Sequence, residues 1–206
     1  MIGDVIERVK QDMTGRMCDE DDNVRILLET VMLAGNGNYL EIGVLHGGSL
    51  CAVALLKKEL GQSGTCYGID PLDGYYMNYV DVKKRGCEVD PITKLPVTLE
   101  TVQDNIERFG LDNIEVVRAL SHPLPDVVKE RKYAVCYIDG DHWGDNPWQD
   151  WMNLSPLATH FVVFDNYDNL HPDVIATCDE AAKDSKWELY KQTGITFILR
   201  RVRRDD

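Results

Sequence analysis

Residues 38–49 read Asn38-Tyr39-Leu40-Glu41-Ile42-Gly43-Val44-Leu45-His46-Gly47-Gly48-Ser49. An apolar run stops at a glycine and, after a second glycine pair, resumes as the helical stretch SLCAVALLKKEL. A strand that becomes a helix within a few residues opens a β–α–β unit. Glycines at such a turn let backbone N–H groups approach a ligand at the helix N-terminus. Gly43 and Gly47 are the candidates for that approach. Three residues separate them, which is not the G-x-G-x-x-G spacing of a dinucleotide site and counts against a nicotinamide or flavin cofactor.

Outward from this turn, apolar runs alternate with helical stretches. TCYGID is followed by LETVQDNIERFG, IEVVRAL by YAVCYID, and PWQDWMNLSPL by HFVVFDN and PDVIATCDEAAKDS. Repeated strand–helix alternation predicts an α/β fold, a doubly wound and mostly parallel sheet with helices on both faces. The last two runs, WELYKQ and TFILRR, have no room for a helix between them. They must form a hairpin around Thr193 and Gly194 that adds an antiparallel strand. Upstream, the spacing of Ile26, Leu27 and Val31 predicts helix within residues 2–34. The acidic run at 19–22 suits a helix N-terminus, and Gly35-Asn36-Gly37 stops the helix.

The chain has 206 residues, 44% apolar and 28% charged, a mix that excludes disordered, collagen-like and coiled-coil classes. One domain spanning 1–206 is expected, with N-terminal helices over 1–37. A net charge of −13 repels phosphate backbones and anionic lipid, so neither nucleic acid nor membrane is an expected partner. Arg200, Arg201, Arg203 and Arg204 form a basic run that reads as a solvated strand end. Six cysteines without a C-x-x-C pair, no signal-peptide pattern and no long apolar span predict a reduced, cytoplasmic protein.

Three groups of residues carry chemistry. The glycine turn is the first. Asp70, closing TCYGID, is the second, because an acid at that strand end can accept both hydroxyls of a ribose. The third joins Asp139, Asp141 and His142 at the end of YAVCYID with Asp165, Asn166 and Asp168 at the end of HFVVFDN. If the two strands are neighbours, their ends lie about 5 Å apart. Asp139 and Asp165 must then shift in pKa, take up a proton or hold a cation, and an all-oxygen set favours Mg²⁺ or Ca²⁺. The bland alternative is a set of exposed loop acids that cap helices.

Residues 71–96 interrupt the alternation with no clear period and many turn residues, which marks a functional or disordered segment. His46, His122, His160 and His171 lack metal-ligand spacing and read as packing or surface residues. Trp143, Trp148 and Trp151 read as core, with Trp143 placed to wall a pocket beside the acids. No serine lies in a G-x-S-x-G elbow.

Together, EIGVLHGGS, GID, YID and VFDN resemble class I S-adenosylmethionine-dependent methyltransferases. Within that class they are most similar to the metal-dependent O-methyltransferases, both the catechol and caffeoyl-coenzyme A group and the sugar and macrolide branch. The resemblance spans residues 38–201. It implies a Rossmann-like, seven-stranded sheet of order 3-2-1-4-5-7-6 with strand 7 antiparallel, in agreement with the hairpin.

Carried over by position, Glu41, Gly43 and Gly47 would line the methionine side of S-adenosyl-L-methionine, with Ser49 near its carboxylate and Asp70 on the ribose. Ser121 would contact the adenine, although Ala119 and Leu120 replace the glycine and acid usual before it. Asp139, also beside the cofactor, would bind Mg²⁺ or another hard divalent cation with Asp165 and Asn166. Relatives of the catechol type place a lysine shortly after the first ligand, where this chain has Gly144. The sugar branch has Asp-x-Asp, so Asp141 is the first choice of base and His142 the second. The expected acceptor is a small molecule, a sugar, polyol or catechol-like hydroxyl, with 71–96 as a lid offering Tyr75, Tyr76 and Tyr79 for stacking. A homodimer stays open. An NAD-dependent oxidoreductase and a non-catalytic S-adenosylmethionine-binding domain are the alternatives, and a third, hydroxylase activity, is known by name in the sugar branch.

Overall fold

A computed structural model describes residues 1–17, 21–74 and 89–202. Seven strands form one sheet: β1 (Asn38–Ile42), β2 (Cys66–Asp70), β3 (Ile114–Arg118), β4 (Tyr133–Ile138), β5 (Ala158–Phe164), β6 (Trp187–Thr193) and β7 (Thr196–Arg201). Their order is β3-β2-β1-β4-β5-β7-β6. β1 to β5 pair in parallel, and β7 runs antiparallel to both β5 and β6. The hairpin turns at Gly194, whose φ of 55° suits glycine, with Thr193 paired to Thr196.

Side chains of the central strands alternate between two apolar layers, the two-residue period of a sheet covered on both faces. Tyr39, Val135, Tyr137, Phe161 and Val163 pack into one cluster. Their neighbours Leu40, Ile42, Cys136, Ile138, Val162 and Phe164 pack into the other. The first layer is closed by α1 (Ile2–Asp12), α2 (Asp21–Ala34), α3 (Gly48–Leu60) and α4 (Leu99–Arg108). The short α5 (Asp126–Lys129), α6 (Asn146–Leu154) and α7 (Pro172–Ala181) close the second. In α2 the buried Val24, Leu27, Leu28 and Val31 follow the helical spacing. Pro147 and Pro172 stand in the first turns of α6 and α7, where a missing N–H costs nothing.

The N-terminal region departs from a continuous helical reading. α1 ends at Asp12, and residues 13–17 form a non-helical strap across the glycine turn. The chain leaves the helix at Met13, whose backbone is extended, and continues through Gly15. Gly15 has a φ of 95°, and a side chain there would overlap the His46 ring. Of the irregular segment, Asp73–Gly74 and Val97–Thr98 pair as a two-residue antiparallel ladder that joins its ends. Tyr75, Tyr76 and Tyr79 lie outside the described residues, as do Arg203 and Arg204. Among the described residues, no helix is long and apolar enough to cross a membrane.

Candidate active site at the carboxyl edge of the sheet

The strand order places β1 between β2 and β4, whose connections leave on opposite sides. Sheets of this kind bind ligands in a crevice at such a point, at the carboxyl ends of the strands. Hydrogen bonds carry the ladder one residue beyond the strands. Gly43 N–H donates to Ile69 O, Asp139 N–H to Ile42 O and Asp165 N–H to Ile138 O. Gly43, Asp139 and Asp165 therefore stand in a row along this edge. Gly43 has a φ of 89°, and a Cβ on it would overlap the Asp139 carbonyl oxygen, so the residue is needed for close packing as well as for an open turn. Gly47, with a φ of 84°, caps the N-terminus of α3.

Asp70 is tied to that turn. One of its oxygens accepts the N–H groups of Val44 (2.9 Å) and Leu45 (3.2 Å), and the other accepts Leu72 N–H (2.9 Å). Burial raises its pKa, and these bonds pull it back down. Glu41 is fully buried and accepts the hydroxyls of Tyr39 (2.8 Å) and Ser49 (3.2 Å). Burial holds its pKa well above the usual carboxylate range, with repulsion from Asp139 and Asp70 adding to it.

The expected adjacency of the two acidic strand ends is present, since Ile138 pairs with Phe164 directly before them. Asp165 is 4% exposed, and its Oδ1 has no hydrogen-bond partner. Burial and the neighbouring Asp139 push its pKa well up. The Asp139 carboxyl, 26% exposed, is raised to about 7 by burial, against hydrogen bonds from Tyr137 and Asp165 and the charge of Arg16. Burial thus raises both carboxyls above the usual carboxylate range. Asn166 donates its backbone N–H to Asp165 and has a φ of 59°, which asparagine tolerates. Among the described residues, no three of His, Cys, Asp and Glu gather as a metal site. The expected ligand set is two acids and an amide.

Asp141 is held by its loop. Its oxygens accept Trp143 N–H (3.2 Å) and the Asn146 amide (2.8 Å). His142 is buried, with Nε2 3.5 Å from Asp139 Oδ1, and burial lowers its pKa. The His171 ring meets His142 edge-on at 5.1 Å, Trp143 is tilted 5.9 Å from it, and Asp168 holds its Nδ1 at 3.0 Å. Ser121, in the loop after β3, bonds to the buried Asp150, whose pKa burial raises to about 7.

Two residues of the site belong to no motif. Arg16 of the strap donates through Nε to Asp90 (2.9 Å), a fully buried acid that also takes the Thr93 hydroxyl (2.7 Å) and Ile92 N–H (3.1 Å). Arg16 N–H donates to His46 Nδ1 (3.4 Å), and Asn105 of α4 bonds both Thr14 and His46 O.

Residues 40–167 match the family described as "Methyltransferase domain". The chain belongs to this methyltransferase family. A curated relative, the mycinamicin III 3''-O-methyltransferase of Micromonospora griseorubida, is 26% identical over 175 residues. The match covers 79% of this methyltransferase and 66% of the relative, so the chain spans just under two thirds of the relative's length. Among solved structures, the O-methyltransferase NovP superposes with a TM-score of 0.63 at 22% identity, covering 88% of this chain and 79% of NovP. An O-methyltransferase from Bacillus cereus, solved in complex with SAH, gives 0.64 at 17% identity, covering 97% and 91%. These two likenesses bear on the methyltransferase fold.

Proposed function

We propose that this methyltransferase transfers the methyl group of S-adenosylmethionine to a hydroxyl of a small molecule, a sugar or vicinal diol, with help from a divalent cation. One observation carries the reading: the glycine turn, Asp70 and the Asp139–Asp165 pair converge on one crevice at the carboxyl edge. Glu41, Gly43, Gly47 and Ser49 would surround the methionine end of the cofactor. Asp70 would take the ribose hydroxyls on lone pairs that the loop N–H groups leave unused. Ser121 would lie at the adenine end.

The donor set fits a hard cation. Asp165 presents a buried oxygen without a hydrogen-bond partner, and two neighbouring acids carry raised pKa values that a cation would bring down. Asp139, Asp165 and Asn166 would hold Mg²⁺, which supplies the positive charge that acidifies an acceptor hydroxyl. The chain's own part is to orient that hydroxyl against the methyl group and to take its proton. Asp141 and His142 are the two bases within the crevice. The hydrogen bonds that occupy Asp141 support His142, whose ring stands beside Asp139. Trp143 and His171 would wall the acceptor side.

Titration calorimetry with S-adenosylhomocysteine and with NAD⁺, each with and without Mg²⁺, tests the cofactor. Micromolar binding of the first, weakened in Asp70→Ala, is the expected result; NAD⁺ binding alone would replace this reading with an oxidoreductase. Release of S-adenosylhomocysteine from a panel of vicinal diols, with EDTA as control, then separates an enzyme from a binding module.

A further inference from the structure

A buried acid of α6 fastens the loop that leaves β3. Asp150 is 1% exposed, and its Oδ1 lies 3.2 Å from Nε2 of His122. One helical turn on, the Asn153 amide nitrogen stands 3.3 Å from Ser121 O and 3.2 Å from His122 Nδ1. An amide nitrogen can only donate, so Nδ1 accepts and the ring hydrogen sits on Nε2, facing Asp150. Both ring nitrogens are therefore turned to the helix, and the Ser121 hydroxyl bonds Asp150 as well.

This fastening sets the course of the loop. At its start, Ala119 N–H donates to Asp70 O beside the end of β2 (3.1 Å). At its far side, Asp150 Oδ2 lies 3.4 Å from where a Cβ on Gly140 would stand, just past the end of β4. The ends of β3 and β4 are three strand spacings apart, about 14 Å. Residues 119–122 thus cross the ends of β2 and β1 on the side of α6, opposite the glycine turn on the side of α3. Ala119 packs into the second apolar layer. By the two-residue period of a strand Leu120 faces the other way, toward the side of the turn, and it is 65% exposed. A branched apolar side chain is held open there, on a loop fixed at both ends.

We propose that Leu120 packs on the purine ring of S-adenosylmethionine, on a loop that Asp150 positions through His122. The inference rests on the cofactor named under the proposed function and adds how its base is held. With the methionine end at the β1 turn and the ribose on Asp70 of β2, the base falls at β3, the next strand outward. Residues 119–122 offer it apolar surface and no acid side chain. The base is then held by packing rather than by a carboxylate that reads its exocyclic amino group.

The test is calorimetry on the full chain with S-adenosylhomocysteine and with its 6-deamino analogue, which carries purine in place of adenine. The unsubstituted protein is expected to bind the two within about threefold, because no polar side chain is left unpaired when the amino group is removed. Leu120→Ala is expected to weaken both ligands about tenfold and to leave the melting temperature unchanged, since the side chain is largely exposed without ligand. Asp150→Asn is expected to cost about fivefold alone and less than about twofold beside Leu120→Ala, a coupling that a purely structural loss would not show. A loss of about tenfold or more on removing the amino group would overturn the proposal. So would unchanged affinity in Leu120→Ala, or an equal cost of Asp150→Asn in both backgrounds. Failure of the unsubstituted protein to bind either ligand would overturn the methyltransferase cofactor itself, a result distinct from these.

Discussion

The Asp70 carboxylate spans three backbone N–H groups from two loops, so its removal frees donors in the glycine turn and after β2 together. Hydrogen bonds to a charged acceptor are each worth about 1.5–3 kcal/mol. Asp70→Ala should therefore weaken S-adenosylhomocysteine by about 10–100-fold and also lower the melting temperature, read by calorimetry and thermal denaturation of one sample. The choice of base is tested by a pair of variants. His142→Asn should lower kcat by about 10²–10⁴-fold with cofactor affinity intact. Asp141→Asn should cost less, because an amide can still accept Trp143 N–H. A larger loss in Asp141→Asn would return the proton to Asp141. Gly43, Asp70, Asp139 and Asp165 stood out in the sequence because each lies at or just beyond the end of a strand. Arg16 and Asp90 did not, because their meeting depends on how a strap and an irregular segment 74 positions apart fold together.

At the turn between β1 and α3, backbone shape matters more than side-chain chemistry. Gly43→Ala would place a methyl group on the Asp139 carbonyl and force a left-handed φ on alanine. The expected cost is more than about 3 kcal/mol, visible as a large fall in melting temperature or in soluble yield. An unchanged melting temperature would mean that the turn can move away from β4. Alternating apolar runs were enough to predict the strands and helices, since each central strand buries both faces, and the two-residue gap was enough to predict the hairpin. The break at 13–17 was hidden, because Met13 and Met17 continue an apolar helical spacing, and the single Gly15 gives no sign that it meets His46 from another element.

For the protein as a whole, the buried acids set how stability responds to pH. Asp139 and Asp150 titrate near 7 when folded, against a usual value of 3.8. Between those values the folded chain binds more protons than the unfolded chain, so stability falls as pH rises from about 4 to 7, by up to about 1.4 kcal/mol per pH unit for each group. In EDTA the melting temperature should be several degrees higher at pH 5.5 than at pH 7.5. Mg²⁺ should recover part of the difference at pH 7.5, and Asp139→Asn should abolish that recovery while raising the metal-free melting temperature. A flat pH profile would show that the acids are solvated.

The strap adds a kinetic consequence. Thr14 and Asn105, which hold it down, are 91 positions apart, so seating it closes a long loop for only a few bonds. Contacts of that kind form late in folding and are the first to release in local fluctuations. Amide exchange at Thr14 and Arg16 should then outpace exchange in β1, directly beneath. The pace at which spent cofactor leaves would be set by this small opening rather than by any motion of the sheet.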